Sequence, residues 1–194
     1  MVNQVLFYIS ASADLETERE VLGRAVTEVP VDLGWRVIQS PPGNGPVDLE
    51  AVETAGVHVL VMGTDIRAPI GLEWQVASRA GRHPTAFMKA DILRTPAGQD
   101  FVRLVGREQR WKRYGDGADL RRQVLMLLAD HLLDDAAAYV LTPDEIGALM
   151  MWRDELAESN DAVDEETRGG AGDSSVLLSR RRSATKGGVV IGEG

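Results

Sequence analysis

Glu73 carries the strongest chemical expectation in this chain. It stands one turn into a helix that opens near Pro69, flanked by Leu72, Trp74 and Val76, and that helix follows the apolar strand Val57–Met62. A carboxylate placed there sits at the rim of a crevice, partly desolvated and aimed inward, and such burial tunes it for chemistry. The same position suits the positive end of a helix dipole, so spacing alone also allows Glu73 to face water. Two short polar segments can converge on it: Ser10-Ala11-Ser12-Ala13-Asp14 and Gly63-Thr64-Asp65. Ser10, Ser12, Asp14, Gly63, Thr64, Asp65 and Trp74 are therefore the candidate ligand-binding residues around Glu73.

Other chemistries find no support in the residue pattern. The chain has no cysteine, which removes disulfides and thiolate metal sites. His58, His83 and His131 have no metal-ligand spacing, and His58, inside an apolar strand, reads as a core residue with its polar atoms satisfied. There is no phosphate loop ending in GK[ST], no G-x-S-x-G, and no G-x-G-x-x-G after the first strand. No metal and no resident cofactor are expected.

The elements that must position these residues alternate. Residues 5–9 are a continuous apolar run, as in a strand buried on both faces. Leu15, Leu22, Ala25, Val26 and Val29 then mark a helical stripe that Pro30 stops. A second strand at 35–38, a loop at 40–46 and a short helix at 47–55 lead into Val57–Met62. Pro69 suits the first position of a helix reaching 79 or 80. Residues 85–88 give a fourth strand and 109–113 a short fifth at an edge. This order predicts an α/β, flavodoxin-like parallel sheet of four to five strands flanked by helices. In the common order 2-1-3-4-5, a ligand crevice opens beyond the carboxyl ends of strands one and three, where both polar segments arrive. Two additional C-terminal helices follow, at 117–139 and from about 142 to 158. The second opens with Thr142 as cap, Pro143 at the first turn and Glu145 closing a capping box. The expected organisation is residues 1–115 as the α/β domain, 116–159 as a helical pair packed on it, and 160–194 as a flexible tail.

A resemblance adds to this reading. Phe7-Tyr8-Ile9-Ser10-Ala11-Ser12-Ala13-Asp14-Leu15-Glu16-Thr17-Glu18-Arg19 resembles the F-I-S-S-T-x-x-D-L-x-x-E-R opening of a bacterial domain family related to TIR domains. Residues 57–80, with G-L-E-W-Q-V-A on the helix, are similar to its second block. The likeness spans about residues 4–105. A glutamate on that helix also marks TIR-type NAD glycohydrolases and nucleoside deoxyribosyltransferases. The resemblance implies hydrolysis or transfer at an N-glycosidic bond of NAD or a nucleoside, with Glu73 in the catalytic position and a bacterial defence role. It implies backbone N–H groups near Ser10 and Ser12 for phosphate or ribose oxygens, and Asp14 as a helix cap or a ribose-hydroxyl partner. Arg19 is expected to pair with an acid. Pro69-Ile70-Gly71 stands where TIR-like glycohydrolases commonly carry serine or cysteine, so a non-catalytic self-assembly or protein-interaction module stays open beside the enzyme.

Composition narrows the partners. Thirty acids against 21 Lys plus Arg give a net charge of −9, which repels nucleic acid unless bases cluster. No apolar run approaches the roughly 18 residues of a membrane span, and no basic segment precedes the first apolar stretch, so a cytoplasmic protein without membrane contact is expected. Arg180-Arg181-Arg182 reads as part of a solvated linker. Val189-Val190-Ile191 reads as a frayed end that weakly resembles short amyloid-type signalling motifs, consistent with self-association or a protein partner.

Overall fold

The computed structural model describes residues 4–41, 45–66 and 69–169, with side chains through 159. Five strands form one sheet in the order β2-β1-β3-β4-β5, every pair parallel. They are β1 (Gln4–Ala11), β2 (Gly34–Gln39), β3 (Val57–Met62), β4 (Thr85–Lys89) and β5 (Lys112–Tyr114). The helices are α1 (Glu16–Ala25), α2 (Leu49–Thr54), α3 (Ile70–Arg79), α4 (Pro96–Val105), α5 (Gly117–Asp134) and α6 (Pro143–Gly169).

Strand alternation divides the core. Val5, Phe7 and Ile9 of β1 and Val57, Val59 and Val61 of β3 pack with Leu22 of α1, Leu120, Val124 and Leu128 of α5 and Leu149 of α6. The opposite parity faces the other helices: Tyr8 meets Ala51 and Val52 of α2 and Ala77 of α3, while Leu60 and Met62 meet Ile70, Trp74 and Phe101 of α3 and α4. All six residues of β3 are buried, as a central strand covered on both faces requires. The described residues up to 159 form one compact unit, and α5 enters the same core as the sheet.

Several boundaries differ from expectation for identifiable reasons. Helix α4 has no counterpart in the sequence reading, although Thr95 caps it by accepting from the Gly98 N–H and Pro96 starts it. Pro69 precedes α3 rather than opening it. Asp14 does not cap α1; Leu15 holds that position without a side-chain bond. Helix α5 ends at Asp134, where a turn closes through Leu141 N to Ala136 O. The fifth strand falls at 112–114 rather than 109–113. The capping box of α6 forms as expected: Thr142 N–H donates to Glu145 Oε2 at 2.8 Å and Glu145 N–H to Thr142 Oγ1 at 3.3 Å. The α6 backbone continues to Gly169, past the expected end near 158. Arg180-Arg181-Arg182 and Val189-Val190-Ile191 lie outside the described residues. Among the described residues no helix is long and apolar enough to cross a membrane.

Candidate functional site

The helix after β1 lies on one face of the sheet and the helix after β3 on the other, so the strand order reverses between them and leaves a crevice at their carboxyl ends. Backbone and side-chain bonds fix its floor. Ser12 N–H donates to Val61 O at 3.1 Å, and Gly63 N–H donates to Ser12 Oγ at 3.0 Å. Asp14 then reaches across to accept from Thr64 N–H at 2.9 Å and from the Thr64 hydroxyl. Gly63 leaves room for that approach: a Cβ there would lie 2.5 Å from Asp14 Oδ2, so the Asp14 carboxylate would have to shift. Asp65 accepts from Ile66 N–H at 2.9 Å and from the Thr95 hydroxyl, while Thr95 N–H donates to Thr64 O at 2.9 Å, which ties the start of α4 to the crevice. The resulting cavity is about 230 Å³ and is lined by Ala13, Asp14, Thr64 and Asp65. Ser10 and Ser12 are fully buried below it.

Glu73 is neither at the rim nor in water. Its residue is 0% exposed, with Tyr8 O–H donating to Oε1 at 2.8 Å and Ser40 O–H donating to Oε2 at 2.6 Å. Period-two alternation places Tyr8 and Ser10 on the face of β1 that α2 and α3 cover, so Glu73 and Ser10 share one side of the sheet. Burial, reinforced by the neighbouring Glu73 carboxyl and its hydrogen bond, pushes the Tyr8 phenol well above its ordinary range and keeps it a donor. Trp74 is not brought to the crevice. It is 6% exposed and stacks edge-to-face on Phe101 in the core between α3 and α4, centroids 6.0 Å apart.

Two further groups complete the cluster. His58 of β3 lies with Nε2 2.9 Å from Ser10 Oγ, its ring edge-on to Tyr8 at 5.1 Å, while its Nδ1 is buried without a partner. It is thus half satisfied rather than satisfied, and burial pushes its pKa down to about 4. Among the described residues Arg19 pairs with no acid. It donates to Ala11 O and, at 3.3 Å, to Ser40 O, clamping the ends of β1 and β2 beside the Ser40 hydroxyl that holds Glu73. Alternation could have marked Tyr8, whose hydroxyl lies in an apolar run on Ser10's parity. Ser40 has no local signal, because its role depends on β2 pairing beside β1.

The chemistry open to this arrangement follows from its charges. Among the described residues the lining carries two carboxylates and no cation, and Asp14, exposed at the crevice, suits hydroxyl donors. Among the described residues no three His, Asp or Glu side chains converge to hold a metal. No protein family, curated protein or solved structure matches the chain.

Proposed function

We propose that this chain binds a nucleoside in the crevice above β1 and β3 and cleaves or transfers its N-glycosidic bond with Glu73. The observation that carries the reading is the Glu73 carboxyl group, withdrawn from water and held at both oxygens by the Tyr8 and Ser40 hydroxyls. Two fixed donors orient the group, which suits a carboxylate that must meet positive charge developing at C1 of a sugar. In hydrolysis the C1–N bond breaks with its electron pair leaving on the base. Water oxygen bonds C1, and the water proton passes to the departing nitrogen. In transfer a second base takes the place of water. For a sugar hydroxyl to reach Oε2 the Ser40 hydroxyl must turn aside and open the closed site, while Asp14 accepts a further hydroxyl from the crevice.

The Asp14 carboxylate at the crevice favours an uncharged nucleoside over NAD, whose pyrophosphate it would repel. A bacterial defence role rests on the family resemblance alone. Incubating the full chain at high concentration with deoxyribonucleosides, ribonucleosides and NAD, and resolving released base by chromatography, tests the proposal. Base from a nucleoside ahead of NAD supports it, and no base from any of them refutes it. The closure of Glu73, Ser10 and Ser12 favours a second reading, a non-catalytic interaction module whose buried polar cluster only fixes the strand ends.

A further inference from the structure

In a chain of net charge −9, five basic residues crowd residues 103–113: Arg103, Arg107, Arg110, Lys112 and Arg113, against the single acid Glu108. Four of them can share the α4 side of the sheet: Arg113 stands opposite Met88, which packs on that side, whereas Lys112 stands opposite Phe87 with its ammonium over that ring on the other face. Trp111 Nε1 donates to Val102 O at 2.9 Å, which lays the segment after α4 back along that helix and delivers it to edge strand β5. All five are exposed. Arg103 meets Asp100 at 2.9 Å and Arg113 meets Asp91 at 3.5 Å, whereas Arg107 and Arg110 form no ion pair among the described residues. Beside them Leu93 is 93% exposed, and with Ile92 and Val102 it lines a groove of about 320 Å³ that Arg94 and Arg103 border. An apolar groove rimmed by guanidinium groups fits a partner that pairs acids with a flexible apolar side chain.

The chain offers that chemistry itself. On α6, Met151, Asp154, Glu155 and Glu158 share one helical face by their spacing, opposite Leu149 and Trp152, which pack in the core. Met151 is 68% exposed, and the three acids are exposed and form no ion pair among the described residues. The two surfaces are not joined within one copy. Helix α6 starts against Asp32, just ahead of β2, where Asp32 N–H donates to Glu145 Oε1 at 3.3 Å. Strand β5 closes the other end of the sheet, four strand spacings or roughly 19 Å away.

We infer that copies of this chain associate head to tail, the basic α4–β5 surface of one copy seating the acidic, methionine-bearing face of α6 of the next. Such a contact is heterologous, so it builds a ring where the rotation closes and a filament where it does not. Its charges lie in water, so added salt weakens it. The inference stands apart from the glycosidic reading and is tested without activity.

Sedimentation of the full chain over a concentration series, in low and in high salt, reads the association. Two charge-reversed forms complete the test. One carries Arg103→Glu, Arg107→Glu and Arg110→Glu; the other carries Asp154→Arg, Glu155→Arg and Glu158→Arg. Circular dichroism checks that each stays folded, as expected for exposed positions. The wild type should associate in low salt and dissociate in high salt, and each form alone should associate at least roughly tenfold more weakly. Their mixture should recover association, because each reversed surface then meets its complement on the other form. A wild type that stays monomeric, association indifferent to the reversals, or a mixture that fails to recover would each overturn the inference.

Discussion

Replacing Glu73 by alanine should cost about 3–5 kcal/mol of folding stability, far more than an acid at a crevice rim would. Both carboxyl oxygens accept a hydroxyl proton in a site with no exposed surface. Alanine strands the Tyr8 and Ser40 hydroxyls, and each buried unsatisfied donor costs about 1–3 kcal/mol. The lost Cγ methylene adds a smaller packing deficit, near 0.8 kcal/mol, and partial collapse of the site offsets some of it. Glutamine keeps the shape and one acceptor oxygen, and its amide N–H can donate to the second hydroxyl, so Glu73→Gln should cost only about 1 kcal/mol. Urea unfolding at neutral pH, followed by tryptophan fluorescence with unchanged m-values, measures both variants. Should alanine and glutamine both fall within about 1 kcal/mol of wild type, the two hydroxyls find water, and the closed site described here is wrong.

His58 gives the chain an acid-sensitive limb. Its imidazole ionises near pH 4 when folded, against an ordinary 6.5, so as pH falls the unfolded chain takes up the proton first. Stability from neutral His58 is whole above pH 6.5, drains away between 6.5 and 4 by about 3 kcal/mol, and changes no further below. Urea midpoints from pH 7.5 down to 4.5 should flatten in His58→Gln; an unchanged slope would place the titrating group elsewhere. Gly98→Ala puts a Cβ 2.8 Å from the Thr64 carbonyl oxygen and 3.1 Å from Met62 Cε. That overpacking should outweigh the helix propensity alanine brings, for a net loss of about 1–2 kcal/mol, and a net gain in thermal stability would contradict the close approach of α4 to the crevice.

The parallel sheet was legible because periodicity is local. The buried runs at Val57–Met62 and residues 5–9, and the capping box at Thr142, each carry their signal within a few residues. The crevice was legible for the same reason, since strand order and the reversal of helix faces bring Asp14, Thr64 and Asp65 together. What holds Glu73 was not. Ser40 reaches it across 33 residues of sequence and Tyr8 across 65, contacts that exist only once β2 and α3 flank β1. Arg19 misleads in the same way: a helical arginine invites an acid partner, but here the open carbonyls of Ala11 and Ser40 lie closer. Trp74 was drawn toward the crevice by its neighbour Glu73, although one residue along a helix is a turn of about 100° away, and that turn carries it onto Phe101. Helix α4 is legible too, in the cap and proline at Thr95-Pro96 and in the stripe of Phe101, Val102 and Val105, although the expected elements did not include it.

Single-turnover release of base from a nucleoside, wild type beside Glu73→Gln, tests the central claim most directly. Both proteins are held in excess over substrate, and circular dichroism and urea midpoints confirm that the variant is folded. If Glu73 meets the charge developing at C1, the wild type releases base and the variant falls by on the order of 10²–10³. Equal rates in the two proteins, or no release from either, would contradict it.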